Sequence, residues 1–198
     1  MPTNTIIQLG RADQGRKVTH EEFAEAVFEK PWRYERVKGR LSVMSPSGDK
    51  HVRATQPFLV AFFAYLSSHQ DRVDQVVPEA WIRIDSSTER IADIGVYLKT
   101  TRPKAAIPDA IPELIVETAS EGYTSLKRDY EEKREDYHRA GVREYVIVDC
   151  FERRLTVLKR GRSKFSETIL GPEDAYSTAL LPGLKIELKQ ILRAQPEA

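Results

Sequence analysis

Two acidic residues lie in stretches of sequence that are otherwise typical of buried β-strands, and their placement constrains the fold most. Asp93 interrupts the apolar segment RIADIGVYL, and Glu117 stands near the end of the aliphatic segment PELIVETA. Burying an ionised carboxylate costs several kcal/mol unless a cation or hydrogen bonds replace its hydration. We therefore expect the chain to place both carboxylates beside a shared partner.

A divalent metal ion is one such partner. Magnesium takes oxygen ligands at about 2.1 Å, typically from one or two carboxylates, and leaves its other positions to water and substrate phosphate. That arrangement suits hydrolysis of a phosphodiester. The alternative is a structural role, because a lone acid at a strand end more often caps a turn or forms an ion pair.

The segments around the two acids predict an α+β fold with a mixed central sheet flanked by helices. The polar and apolar residues of RYERVKGRLSVMSP alternate around Lys38 and Gly39, which predicts a hairpin. The next strands are QVVPEAWIRID, RIADIGVYL and PELIVETA, followed later by EYVIVD and by a hairpin of RRLTVLKR and KFSETIL. A short capped helix is predicted after Thr19, and a long buried helix from His51 to His69 that Pro57 should bend.

The segment SLKRDYEEKREDYHRAG predicts a helix that stops at Gly141. Leu126, Tyr130, Lys133 and Tyr137 recur at helical spacing and form one stripe, so Lys133 is predicted to face inward. An inward lysine would lie near the carboxylates or reach back to solvent along its own stem. Near a metal it would position the attacking water or neutralise charge on the phosphate.

A surface role for this lysine remains open at this point. Lysines in helices normally form pairs with acids three or four residues away. Asp129, Glu132 and Asp136 are all within that reach of Lys133. The combination of Asp93, Glu117 and Lys133, rather than any one of them, favours a functional site.

Composition narrows the possible classes of protein. The 198 residues carry a formal net charge of +1, so no chain-wide excess of cations announces a nucleic-acid or membrane partner. Cys150 is the only cysteine, which excludes an internal disulfide and a cysteine-based zinc site. No segment has the apolar length of a signal peptide or membrane span, and we expect a cytoplasmic protein.

The sequence resembles the Uma family of predicted restriction endonucleases, a branch of the PD-(D/E)XK nuclease superfamily. The likeness runs in order through RYERVKGRLSVMSPSGDKH, IADIGVYL, PELIVETAS, KRDYEEKREDYHRAGVREYVIVD and LLPGLKIEL. It implies a restriction endonuclease-like core, α/β/α in type, with an N-terminal helix and hairpin. We expect a flexible arm at 1–17, a single domain at 18–192 and a polar tail at 193–198.

The resemblance also implies roles for individual residues. The family's metal-binding aspartate falls on Asp93, its strand-end glutamate on Glu117, and its catalytic lysine on Lys133 in the following helix. Magnesium or manganese would be held by Asp93, Glu117 and the carbonyl of Thr118. Further family positions fall on Glu35 and His51 as additional candidate ligands, and on Asp129 and Tyr137 as residues that orient the lysine.

The resemblance implies a metal-dependent endonuclease that acts on DNA, and nucleases of this kind often work as symmetric dimers. Two departures bear on that implication: Ala92 replaces the superfamily's proline, and Ala119 stands where its lysine normally lies. The second departure leaves open a catalytically silent module that binds or assembles. The basic residues of LKRGRSK, Lys159, Arg160, Arg162 and Lys164, either contact nucleic acid or protect a sheet edge.

Overall fold

A computed structural model describes residues 7–99 and 105–192 of the chain. Most of these residues belong to one eight-stranded sheet and the helices that cover it. The strands are β1 Gln8–Leu9, β2 Val27–Phe28, β3 Arg33–Val37, β4 Arg40–Met44, β5 Val73–Asp85, β6 Thr88–Leu98, β7 Leu114–Thr118, β8 Glu144–Asp149, β9 Arg154–Arg160, β10 Phe165–Leu170, β11 Ala175–Tyr176 and β12 Ile186–Glu187. The helices are α1 His20–Glu25, α2 Asp49–Ser68, α3 Tyr123–Lys127 and α4 Lys133–Ala140.

The central sheet is mixed. Strands β7 and β8 pair in parallel, whereas β3 with β4, β5 with β6 and β8 with β9 pair antiparallel. The predicted hairpins are confirmed. The turn between β3 and β4 holds Lys38 at φ 51° and Gly39 at φ 71°, the two positive angles that a tight hairpin turn requires.

Strand β6 divides the sheet near its middle. It pairs with β5 from Thr88 to Leu98, so a single edge of β6 is left for its other neighbours. Strand β3 pairs on that edge through Arg36 and Glu89, and β7 pairs through Ile94, Gly95 and Val96. The sheet therefore forks along β6, and among the described residues no strand pairs with this edge of β6 between the two prongs, β3 and β7.

Helices cover both faces of the sheet. The aromatic residues Phe58, Phe62 and Tyr65 of α2 pack in a cluster with Val116 and Val146. Alternate residues of the same strands face a second cluster, which includes Ile115, Tyr145 and Ile147 together with Tyr137 of α4. The α+β class and the α/β/α-like layering predicted from the sequence are thus confirmed.

The N-terminal segment differs from the prediction. Residues 1–17 are predicted to form a flexible arm, but in the described part of this segment Leu9 is only 1% exposed and packs with Phe23, Tyr34 and Leu41. Strand β1 pairs in parallel with β2, which anchors the segment to the chain that follows α1. Burial of the apolar Leu9 side chain is favourable, and pairing with β2 satisfies the backbone hydrogen-bonding groups of β1. Residues 1–6 and the predicted tail at 193–198 lie outside the described residues.

The predicted helix after Glu117 is present but is not uniform. It consists of two α-helical segments, α3 and α4, which are separated by a π-helical turn, Arg128–Glu132. Gly141 ends α4 at φ 102°, as the sequence predicts. The π turn is a rare conformation that is often found at functional sites.

Candidate functional site

Asp93 and Glu117 lie opposite each other at the fork in the sheet. Ile94 of β6 pairs with Val116 of β7, and extending this antiparallel register by one residue sets Asp93 across from Glu117. Both side chains then project from the same face. Asp93 is 6% exposed and Glu117 is 3% exposed, so the prediction of two adjacent buried carboxylates agrees with this geometry.

Carboxylates replace the missing strand between the prongs of the fork. The backbone N–H of Thr118 donates to Oδ2 of Asp93 at 2.8 Å. The backbone N–H of Ile91 donates to Oε1 of Glu35 at 2.9 Å. One backbone N–H of β7 and one of β6 are therefore each satisfied by an acidic side chain instead of a strand carbonyl.

Two cationic or basic side chains contact Asp93. Arg33 of β3 approaches Oδ1 through its NH1 atom at 3.3 Å, and His51 of α2 approaches Oδ2 through Nε2 at 3.1 Å. Burial opposes ionisation of Asp93, but the contact with His51, the charge of Lys133 and the Thr118 N–H lower its pKa to about 2. Asp93 is therefore an anion at neutral pH.

Glu117 has the opposite tendency. Burial and the neighbouring charge of Asp93 raise its pKa to about 7, although Lys133 opposes the shift. Nζ of Lys133 donates to Oε1 at 2.7 Å, and the hydroxyl of Tyr137 donates to the same oxygen at 2.6 Å. Neither of these two donors contacts Oε2 of Glu117. The pair thus combines one stable anion with one carboxyl that ionises near neutrality.

Lys133 is buried, as the helical stripe predicts, with 3% of its surface exposed. Burial lowers the pKa of its amine, but the charges of Glu117, Glu35 and Asp129 together raise it above the ordinary value. Its Nζ lies 3.7 Å from Glu35 and 4.0 Å from Asp129, both farther than Glu117. The alternative of a surface ion pair is therefore inconsistent with the structure.

Glu35 is held in a different way from a metal ligand. Its Oε2 accepts from NH1 of Arg90 at 2.9 Å, while Oε1 is occupied by the Ile91 N–H, and the side chain is fully buried. Arg90 continues to Asp136, whose Oδ2 accepts from both Nε and NH2. Glu35 thus belongs to a buried ion-pair network that joins β3, β6 and α4.

The two residues predicted to orient the lysine differ in what they touch. Asp129 forms a bidentate pair with Arg128, at 2.9 and 3.2 Å. Its Oδ1 lies 4.0 Å from Nζ of Lys133, which is too far for a hydrogen bond. Tyr137 contacts Glu117 rather than the lysine. The carbonyl of Asp129 accepts from the hydroxyl of buried Tyr145 at 2.9 Å, which ties the π turn to β8.

A cavity of about 410 Å³ opens onto these groups. We call it the acidic cavity; its wall includes Asp93, Glu117, Thr118, His51 and Lys133. Glu35, Asp129 and Tyr137 do not line it. Arg33 and Arg128 do line the acidic cavity, although neither is predicted from the sequence as a site residue. The one available signal was that both are cations beside segments already assigned to the site.

The donor set fits a hard divalent cation better than a transition metal held in a full protein cage. Within residues 7–99 and 105–192, no group of three or more His, Cys, Asp or Glu side chains is arranged to hold a metal ion. Magnesium does not need one, because one or two carboxylates with water and phosphate suffice. Asp93 and Glu117 would supply those oxygens, and an added cation would offset the burial and the repulsion by Asp93 that raise the pKa of Glu117.

Comparison with known proteins identifies a family and a fold. The family model of Uma2, described as "Putative restriction endonuclease", matches residues 20–189. A solved structure described as a putative nuclease belonging to DUF820, from Anabaena variabilis ATCC 29413, is similar over 88% of this chain and 97% of that chain, with 13% identity and a TM-score of 0.70. That likeness confirms the predicted nuclease-like fold. No curated protein matches significantly.

Among the described helices, none has the length and apolar character needed to cross a membrane.

Proposed function

Because this chain belongs to the Uma2 family, described as "Putative restriction endonuclease", we propose that it is a divalent-metal-dependent endonuclease that hydrolyses phosphodiester bonds in DNA. One observation carries the proposal. Asp93 and Glu117, on adjacent strands, line a single cavity into which Lys133 projects from the opposing helix. Two carboxylates and a buried amine are a combination suited to phosphoryl chemistry.

Magnesium or manganese would be held by Asp93, Glu117 and the carbonyl of Thr118. When bound, the ion would neutralise phosphate charge and lower the pKa of a coordinated water. Glu117 must be ionised to serve as a ligand, and its pKa of about 7 means that it loses its proton near neutral pH. Asp93 is already ionised there.

Three cations surround the place where the phosphate would lie. Lys133 holds Oε1 of Glu117 at 2.7 Å and so fixes the direction in which Oε2 points. Its positive charge also stabilises negative charge that develops on phosphate oxygens during attack. Arg33 and Arg128 line the same cavity and supply planar donors for phosphate oxygens.

His51 and Tyr137 hold the two carboxylates rather than the substrate. His51 keeps Oδ2 of Asp93 in place at 3.1 Å, and Tyr137 donates to Oε1 of Glu117 at 2.6 Å. Fixed carboxylates keep the ligand geometry from collapsing when a cation leaves. In this arrangement Lys133, on the helix, takes the role of the catalytic lysine. The superfamily's usual lysine position holds buried Ala119, which has no amine.

The experiment is a nuclease assay on plasmid and single-stranded DNA with magnesium, manganese or EDTA. We expect cleavage by the wild type in either metal and none in EDTA. Asp93→Asn and Lys133→Met should each reduce the rate by roughly 100- to 1000-fold. Matched controls are Asp74→Asn on the exposed side of β5 and Lys127→Met on the exposed side of α3, which should cleave like the wild type.

Undiminished cleavage by Asp93→Asn would contradict the assignment of Asp93 to the active site. Cleavage by the wild type that persists in EDTA would contradict the proposed dependence on a metal ion. DNA binding without cleavage in any metal would instead support the alternative, a module that keeps the fold without turnover.

A further inference from the structure

A second cavity of about 370 Å³ adjoins the acidic cavity. The two share part of their walls, formed by Gly48, His51, Thr118 and Ser120. We call the second one the side pocket; the rest of its lining is Lys50, Ala119, Cys150, Phe151 and Arg153. Its volume falls within the roughly 300–1,000 Å³ typical of small-molecule sites. A group bound there would lie next to a phosphate held between the carboxylates.

Phe151 stands exposed at this pocket, with 46% of its surface accessible. It belongs to the short turn between β8 and β9, and buried Asp149 holds that turn. Oδ1 of Asp149 accepts the backbone N–H groups of Phe151 at 3.1 Å and Glu152 at 2.9 Å, while Oδ2 accepts from Tyr130 at 2.9 Å. The ring is therefore presented on a fixed backbone instead of being withdrawn into the core.

The charges around the side pocket match a polyanion. Lys50 and Arg153 lie in its lining, and no acidic side chain of the described chain lines it. Nε of Arg153 donates to the carbonyl of Leu192 at 3.1 Å, which ties its guanidinium group to the segment after β12. An aromatic side chain and cations that line one pocket are the groups with which proteins hold a base and its phosphates.

We propose that the side pocket holds an unpaired nucleobase of a nucleic-acid strand, stacked on Phe151, whose adjacent phosphate lies in the acidic cavity. This inference rests on the proposed function. Bases of an intact duplex are stacked inside it and present no free face, so the base must come from a single strand or from a locally opened site. The preferred substrate is therefore single-stranded or splayed DNA.

The test measures binding without cleavage. Fluorescence anisotropy in EDTA, repeated with calcium, gives the affinity of the full chain for three labelled ligands: oligothymidylate, an abasic strand of the same length and a duplex. Wild type should bind oligothymidylate more tightly than the abasic strand. Phe151→Ala should weaken binding of oligothymidylate by roughly 5- to 150-fold, because stacking of one base contributes about 1–3 kcal/mol.

Two variants serve as controls. Phe151→Trp keeps an aromatic face and should retain the preference for a base-bearing strand. Phe63→Ala removes a phenylalanine of similar exposure, 43%, from α2, outside both cavities, and should bind like the wild type. Abasic binding should be nearly unchanged in all three variants.

Equal affinity of the wild type for base-bearing and abasic strands would overturn the inference while leaving the nuclease proposal intact. An equal loss in Phe151→Ala and Phe63→Ala, or tightest binding to the duplex with no effect of Phe151, would do the same. If the wild type binds none of the three ligands, the proposed function fails and the inference fails with it.

Discussion

The two carboxylates of the site differ in protonation because their partners differ. The contact of Asp93 with His51, the charge of Lys133 and the backbone N–H of Thr118 together outweigh its burial. Glu117 is more deeply enclosed and has Asp93 as a neighbour, so burial and repulsion outweigh Lys133. Neither difference is visible in the sequence, where both residues are simply acids in apolar strands.

Replacing Glu117 by glutamine should change how stability depends on pH. The folded-state pKa of Glu117, about 7, lies above its ordinary value of 4.5, so the folded state binds the extra proton between these values and stability falls as pH rises. Glu117→Gln removes this loss. In EDTA, its free energy of unfolding should improve relative to wild type by roughly 1–3 kcal/mol between pH 5 and pH 8.

Urea unfolding at the two pH values measures this change, since other titrating groups are common to both proteins. Glu131→Gln, an exposed acid on the π turn, is the control and should follow the wild type. A difference between Glu117→Gln and wild type that does not vary with pH would contradict the raised pKa.

Glu35 provides a prediction that separates a structural acid from a metal ligand. Its pKa is lowered from 4.5 because, although burial opposes ionisation, Lys133, Arg90 and the Ile91 N–H favour the charged form. Glu35→Gln removes one partner from buried Arg90 and should cost about 3 kcal/mol of unfolding free energy at pH 7. The stabilising contribution is present above about pH 4.5 and is lost as pH falls through the folded-state pKa.

Unfolding at pH 7 and pH 3.5, together with cleavage at 20 °C, checks this role. Glu35→Gln should retain metal-dependent cleavage while folded, whereas Asp93→Asn should lose it. Loss of cleavage in a fully folded Glu35→Gln would restore Glu35 as a ligand candidate.

At the scale of elements, periodicity predicted most strands and helices but not how the helix after Glu117 is built. The stripe of Leu126, Tyr130, Lys133 and Tyr137 correctly placed Lys133 inside. The π-helical turn at Arg128–Glu132 escaped prediction because composition and spacing are those of an ordinary helix. One contact that holds this turn in the fold is distant in sequence: the hydroxyl of Tyr145 donates to the carbonyl of Asp129.

Removing that hydroxyl should disturb the site through the π turn. Tyr145→Phe leaves a buried carbonyl without this donor and should cost about 1–3 kcal/mol of unfolding free energy. Tyr34→Phe is the control, because its hydroxyl also donates to a backbone carbonyl, that of Glu29, at 2.8 Å, in a less buried position. Tyr34→Phe should lose less stability, and only Tyr145→Phe should lower the rate of cleavage, measured well below the unfolding temperature.

Equal rates in the two tyrosine variants would show that the position of Lys133 does not depend on the π turn. A loss of rate in Tyr34→Phe alone would place the sensitive contact in the N-terminal cluster instead.

For the whole molecule, the site depends on a fork in the sheet that no local pattern reveals. The sequence predicted that Asp93 and Glu117 lie beside a shared partner, but not that β3 and β7 share one edge of β6. That sharing brings Arg33 to Asp93 and makes Glu35 a substitute for a strand carbonyl. The packing of residues 7–17 was missed for the same reason, since Leu9 finds its partners only in the folded chain.

Because the proposed metal ligands Asp93 and Glu117 come together only in the folded chain, a bound cation should raise the free energy of unfolding. The size of this effect should depend on pH. A ligand that binds only the folded state at 100 times its Kd adds about 2.7 kcal/mol, which raises Tm by roughly 5–10 °C in a chain of this size. The cation competes with the proton on Glu117, whose pKa is about 7. The rise in Tm on adding magnesium should thus be larger at pH 8 than at pH 6.

Thermal unfolding at each pH, with magnesium against sodium chloride of equal ionic strength, measures the shift. Asp93→Asn should abolish it, and Asp74→Asn should retain it in full. Glu117→Gln should weaken the shift and remove its dependence on pH, since no proton is then displaced. A rise in Tm of equal size in Asp93→Asn and the wild type would mean that magnesium binds elsewhere. Asp93 is the aspartate that the strand register sets opposite Glu117 among the described residues.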